Sequence, residues 1–141
     1  MFKLVIDTNV LVSALLKAQS KPALVLSLIL NGYCTLCLSR EIFTEYEEVL
    51  SRDKFAALDQ AKVKELLALL KKQALWVEPK ISVDAAGEEA DNALLECGVE
   101  AKADFLVTGN IRHFPRRFSS LVIITPDRFL SLMAKVFTAS V

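Results

Sequence analysis

Short apolar runs alternate with longer segments of mixed polarity along the chain. The runs are three residues long and predict strands at 4–6, 36–38, 75–77, 105–107 and 122–124. Helical spacing and helix-start residues between them predict helices at 10–16, 41–50, 61–72, 88–102 and 126–136. Alternating strands and helices are typical of a parallel sheet that helices cover on both faces. The pattern therefore predicts a single three-layer α/β/α domain over residues 1–141.

Polar residues follow two of the predicted strands directly. Asp7, Thr8 and Asn9 come after the first strand, and Thr108 and Asn110 come after the fourth. In open α/β sheets, ligands bind at the carboxyl ends of the strands. Because parallel strands end at the same edge of the sheet, these residues mark the predicted functional site.

Two predicted helices carry carboxylates at positions that are unusual for surface acids. Glu45 flanks the apolar face of helix 41–50, and Asp91 shares a helix face with Leu94 and Leu95. Each acid alone also has an ordinary interpretation. The aspartate after the first strand can be a turn residue and Glu45 a boundary residue, while an acid in a first helical turn favours the macrodipole.

A bound cation explains why these carboxylates converge on one edge. At an effective dielectric constant of about 20, two carboxylates about 4 Å apart repel each other by about 4 kcal/mol. Such a cluster is tolerable where it holds a hard divalent cation, and oxygen ligands suit Mg²⁺ or Mn²⁺.

The charge balance limits how this protein binds nucleic acid. The 141 residues include 17 Lys and Arg against 17 Asp and Glu, so binding through the overall electrostatic field is excluded. The one concentrated basic segment consists of Arg112, His113, Arg116 and Arg117, directly after the fourth strand and its turn. This segment is either a solvated loop or a surface that positions the phosphates of a nucleic acid.

Cysteine content and hydropathy indicate a cytoplasmic protein. The chain has three cysteines, Cys34, Cys37 and Cys97. This number is too small for a disulfide scaffold, and because it is odd one thiol would stay unpaired. The apolar start of the chain is too short for a signal peptide, and the longest apolar run, 23–30, is far shorter than the roughly 20 residues that span a bilayer. We therefore expect a soluble protein that does not interact with a membrane.

Four segments, taken in order along the chain, resemble a PIN domain. They are 5–11 (VIDTNVL), 45–52 (EYEEVLSR), 91–92 (DN) and 103–110 (ADFLVTGN). Each motif alone is weak, whereas the ordered set is specific and covers nearly the whole chain. The resemblance is closest to the VapC-like toxin components of bacterial toxin–antitoxin systems.

The resemblance implies an activity, a cofactor and partners. It implies a Mg²⁺- or Mn²⁺-dependent endoribonuclease in which Asp7, Glu45 and Asp91 are the catalytic metal ligands. Such a cation would polarise the scissile phosphate of RNA and activate the attacking water. The resemblance also implies strand order 3-2-1-4-5, a homodimer and a small cognate antitoxin.

Neutral polar residues next to these ligands have two interpretations. Thr8, Asn9 and Thr108 either position the RNA phosphate or serve as turn and cap residues. Asn110 stands where many PIN domains carry a fourth acid, and His113 stands where relatives with this asparagine often carry an acid. An amide is a neutral and weak ligand, so we do not expect a second metal to bind tightly. This departure leaves an alternative function open, namely a catalytically weak or inactive module that binds RNA or another partner.

Overall fold

The structure is a computed structural model, and it describes residues 1–139. The strands are β1 (Phe2–Ile6), β2 (Cys34–Leu38), β3 (Leu75–Trp76), β4 (Phe105–Val107), β5 (Arg117–Phe118) and β6 (Leu121–Ile124). The α-helices are α1 (Thr8–Leu16), α2 (Lys21–Leu30), α3 (Arg40–Leu50), α4 (Gln60–Gln73), α5 (Glu89–Ala101) and α6 (Pro126–Ala139). Two short 3₁₀ turns cover Asp53–Phe55 and Ile111–His113.

The strands form one sheet with the order β3-β2-β1-β4-β6-β5. Neighbouring strands from β3 through to β6 are parallel, which confirms the predicted order of five parallel strands. The prediction missed β5, which pairs antiparallel with β6 and makes the sheet mixed at this edge. A two-residue strand carries no periodic signal, and Ser119 forms its turn with a left-handed φ of 58°.

The two central strands are buried on both faces, as their apolar runs predict. Leu4 and Val5 on β1, and Leu106 and Val107 on β4, are 0% exposed. The edge strand β3 differs, because its two residues are exposed and only β2 pairs with it. Two-sided burial therefore holds at the centre of the sheet, where the functional residues follow β1 and β4.

Helix α5 packs against the start of β6 at a glycine. A Cβ atom on Gly98 would lie 2.6 Å from Cδ2 of Leu121, which is itself buried at the start of β6. Real Cβ atoms do not approach a neighbour so closely. The absence of a side chain at Gly98 therefore fixes how near α5, and the acid in its first turn, sits to the sheet.

Helix ends follow the local chemistry of the sequence. Ser39 caps α3, as its position before the apolar-periodic segment predicts, by accepting the backbone N–H of Ile42 at 3.4 Å. Ser20 caps α2 in the same way through the N–H of Ala23. These caps set where α2 and α3 begin.

None of the helices within residues 1–139 is by itself long and apolar enough to cross a membrane. Only α1 and α2 taken together meet that length and composition, and they are bent by 103° relative to each other. Val10 and Leu11 of α1 and Val25 and Ile29 of α2 are buried in the core.

Candidate functional site

Asp7 lies at the carboxyl end of β1 and is 8% exposed. Its Oδ2 accepts hydrogen bonds from Oγ1 of Thr108 at 2.8 Å and from Nδ2 of Asn9 at 3.4 Å. Thr108 follows β4 and is fully buried. The carboxylate therefore joins the ends of the two central strands, as the edge rule for parallel sheets predicts.

Glu45 comes to the same edge from helix α3, where it is half-buried. Its Oε2 accepts a hydrogen bond from the hydroxyl of Thr8 at 2.5 Å, and Thr8 is the first residue of α1. The neighbouring Tyr46 is 1% exposed, and its hydroxyl donates to the carbonyl oxygen of Ile6 at 2.5 Å. This bond ties α3 to the last residue of β1, and so sets Glu45 beside the first carboxylate.

Replacing Tyr46 by phenylalanine is expected to lower the free energy of unfolding by about 1–3 kcal/mol, because the buried carbonyl of Ile6 loses this donor. Chemical denaturation of Tyr46→Phe measures the loss. The matched control is Tyr33→Phe, which removes a hydroxyl from an exposed side chain and should change stability little. Equal midpoints and slopes for Tyr46→Phe and the wild type would show that the bond adds no stability.

Asp91 completes the acidic set from the first turn of α5, where it is 9% exposed. Its buried Oδ2 has no hydrogen-bond partner among the described residues. Nδ1 of His113 lies 3.6 Å from this oxygen. A buried carboxylate oxygen without a partner is unfavourable in a folded protein and calls for an explanation.

The electrostatics show that these carboxylates share one site. The pKa of Asp91 is raised from 3.8 to about 6, mainly by burial and then by the negative charges of Asp7, Glu88 and Glu45, against the opposing effect of His113. The pKa of Asp7 is raised mainly by burial, is lowered by the hydrogen bond from Thr108, and is raised by the charge of Glu45. Each of the two aspartates therefore titrates in the field of the other acids. The structure therefore places Asp7, Glu45 and Asp91 near one another, and their role as metal ligands stays a prediction.

The chain matches a known family over most of its length. The sequence model of the family described as PIN domain matches residues 3–112, which include all three acids. The chain belongs to the PIN domain family. No curated protein matches it.

One solved structure similar to this PIN domain is described as the crystal structure of VapBC2 from Rickettsia felis bound to a DNA fragment from their promoter. The match covers 88% of this chain and 98% of that chain, with a TM-score of 0.60 and 17% sequence identity. At this identity the likeness shows the fold, and it confirms the predicted three-layer α/β architecture.

The donor set of the PIN domain suits a hard divalent cation. The charges of Asp7 and Glu45 both raise the pKa of Asp91, whose buried Oδ2 has no hydrogen bond from the part of the chain that the structure describes. Across residues 1–139, however, no three Asp, Glu, His or Cys side chains are already gathered closely enough to hold a metal ion. Threonine hydroxyls hold Asp7 and Glu45 instead. The ligand chemistry therefore fits, and ion binding has to draw the side chains together.

Asn9 and Thr108 bond to the loop after β4, and the positioning of an RNA phosphate by Thr8, Asn9 and Thr108 stays a prediction. Asn9 accepts the backbone N–H of Gly109 at 3.3 Å through Oδ1, and Thr108 accepts the backbone N–H of Asn110 at 3.0 Å through Oγ1. These bonds fix the loop after β4 against the start of α1. The Asn110 side chain is exposed, and its role as a weak metal ligand stays a prediction.

The sequence motif 91–92 included Asn92, but its structural role was not predicted. Oδ1 of the buried Asn92 accepts the backbone N–H groups of Ala85 at 3.1 Å and of Ala86 at 2.9 Å. This clamp holds the loop before α5 and so orients the helix turn that carries Asp91. Asparagine forms helices poorly and often bonds to nearby backbone, so its place in a first helical turn was the available signal.

The basic segment lies on the surface beside the site. Arg112 and His113 belong to the 3₁₀ turn after β4, Arg116 precedes β5, and Arg117 begins it. All four side chains are exposed. The 3₁₀ turn and the start of β5 therefore place these four side chains on the surface.

Proposed function

We propose that this PIN domain is a Mg²⁺- or Mn²⁺-dependent endoribonuclease that hydrolyses RNA phosphodiester bonds as the toxin of a toxin–antitoxin system. One observation carries the proposal: three buried or half-buried acids lie at the carboxyl edge of the sheet, and one of their oxygens has no hydrogen-bond partner within residues 1–139. An unpaired negative charge is unfavourable in the metal-free protein, and a bound divalent cation would stabilise it.

Asp7, Glu45 and Asp91 would hold the cation. When bound, the ion would supply a Lewis acid for the phosphate and a water of lowered pKa as nucleophile. The protein's own contribution is orientation. Thr108 fixes the carboxylate of Asp7, and Thr8 fixes that of Glu45, each through a hydroxyl that donates to the carboxylate.

Metal restoration tests the activity. The protein is treated with EDTA, dialysed, and assayed on a fluorogenic RNA with and without added Mg²⁺ or Mn²⁺. We expect no cleavage without metal and cleavage with it. RNA binding without cleavage under all metal conditions would favour the alternative, a PIN-like RNA-binding module. That alternative draws support from the neutral Asn110 in place of a fourth acid.

The exposed arginines are proposed to contact RNA phosphates, because they lie beside the site on a chain without net charge. Replacing Arg112, Arg116 or Arg117 singly by glutamine should weaken binding to all RNA sequences about equally. Each substitution should reduce the slope of log K against log salt by about 0.7, the value for one phosphate contact on a single strand. Salt titrations of fluorescent RNA binding measure the slope. A slope that stays at the wild-type value in all three variants would remove this basic segment from the RNA surface.

The proposed partners are RNA, a small antitoxin and a second copy of the chain. The structural neighbour is itself described as a VapBC complex bound to promoter DNA, which supports the antitoxin proposal. We place the protein in the cytoplasm, because Cys34, Cys37 and Cys97 are all buried free thiols, which suits a reducing compartment.

A further inference from the structure

His113 is the only histidine in the chain, and the structure places it against the site. The residue ends the 3₁₀ turn Ile111–His113, which follows directly on the loop after β4. Its Nδ1 lies 3.6 Å from Oδ2 of Asp91, while 53% of the histidine side chain is exposed. The half-exposed imidazole therefore lies close to a buried carboxylate oxygen.

The distance does not describe a hydrogen bond. Donor and acceptor atoms of an N–H···O bond lie about 2.7–3.2 Å apart, so the 3.6 Å separation leaves the Asp91 oxygen unsatisfied. A movement of roughly 0.6 Å would bring these two atoms to the spacing of two ligands of one ion. Two donor atoms at adjacent corners of an octahedron with bonds of about 2.1 Å lie about 3 Å apart.

We propose that His113 is a nitrogen ligand of the same divalent cation as Asp91, and that it makes the site prefer Mn²⁺ to Mg²⁺. The inference rests on the proposed metal-dependent function. Oxygen ligands suit both ions, whereas imidazole is a transition-metal ligand, so a nitrogen donor favours Mn²⁺. His113 would thereby add a side-chain ligand next to Asn110, whose neutral amide is a weak one.

A spectroscopic test is unusually clean in this chain because any imidazole signal comes from one residue. Protein without a polyhistidine tag is loaded with Mn²⁺ below one equivalent, and electron spin-echo envelope modulation is recorded. We expect the ¹⁴N modulation of a directly bound imidazole in the wild type and its loss in His113→Gln. The matched control, Arg112→Gln, changes the preceding residue in the same turn and should keep the modulation.

Metal affinities provide a second measurement. His113→Gln should lower the affinity for Mn²⁺ about tenfold and that for Mg²⁺ by a smaller factor, as titration calorimetry can measure. A residue with a purely structural role would change both affinities by the same factor. Equal factors for the two ions would therefore overturn the inference.

Two outcomes separate this inference from the proposed function. In the first outcome, Mn²⁺ binds the wild type without ¹⁴N modulation, and Asp7→Asn abolishes that binding. This result would place His113 outside the coordination shell but would leave the proposed metal site intact. Wild-type protein that binds neither ion would overturn the proposed function and the inference together.

Discussion

Replacing Asp7 by asparagine is expected to reduce metal-dependent RNA cleavage by a factor of at least about 100. Asp7 joins the ends of β1 and β4 and is the most buried of the three acids. The amide removes one negative charge and the stronger ligand, while it keeps the size of the side chain. The hydroxyl of Thr108 can still donate to the amide oxygen, so the local structure has no reason to change.

The same substitution is expected to raise the melting temperature of the metal-free protein at neutral pH. Burial and the charge of Glu45 raise the pKa of Asp7, which means that its ionised form is unfavourable in the folded state. Asparagine carries no charge at any pH and avoids this penalty. A substitution that lowers activity and raises stability is typical of a functional residue that destabilises the fold.

Asp59→Asn is the matched control, since Asp59 also holds the N-cap position of a helix but is exposed and far along the chain from the acids. Asparagine caps helices as well as aspartate does, so this variant should cleave RNA and melt like the wild type. Cleavage is measured on fluorogenic RNA with Mg²⁺ or Mn²⁺, and melting is measured in EDTA. Cleavage by Asp7→Asn at the wild-type rate would contradict the assignment of Asp7 as a metal ligand.

The sequence was most informative where burial and periodicity agree. Continuous apolar runs identified β1 and β4, because strands buried on both faces tolerate few polar residues. The end of such a run then marks the edge of the sheet, which is how Asp7 and Thr108 could be placed together before the structure was known. An acid on an apolar helix face identified Asp91 in the same way.

Contacts that depend on tertiary geometry could not be derived from the sequence. The bond between the Tyr46 hydroxyl and the carbonyl of Ile6 links residues 40 positions apart, and nothing local distinguishes this tyrosine from an ordinary core aromatic. The approach of His113 to Asp91 depends on the 3₁₀ turn and the hairpin beyond it. Its sequence neighbours indicated only a basic surface segment.

The stability of the metal-free protein is expected to fall as the pH rises from about 4 to about 6, in part because of Asp91. Its pKa is raised from 3.8 to about 6 in the folded protein, first by burial and then by the neighbouring acids. The folded state therefore binds a proton that the unfolded state has already released in this pH range. In a pH range where the folded state binds more protons than the unfolded state, the free energy of unfolding falls as the pH rises. This fall is complete above the pKa of Asp91 in the folded protein.

Asp91→Asn shows how much of this pH dependence comes from Asp91, because an amide cannot ionise. Melting temperatures of the two proteins, measured in EDTA, should nearly coincide at pH 4, where Asp91 is largely protonated in the folded state. The variant should then melt progressively higher than the wild type as the pH rises, with the difference levelling off above about pH 7. Some dependence remains in the variant because the pKa values of Asp7 and Glu41 are also raised by burial and nearby acids. A difference that is the same at every pH would mean that Asp91 is solvated or paired in the metal-free protein, and that its buried charge does not bring a cation to this site.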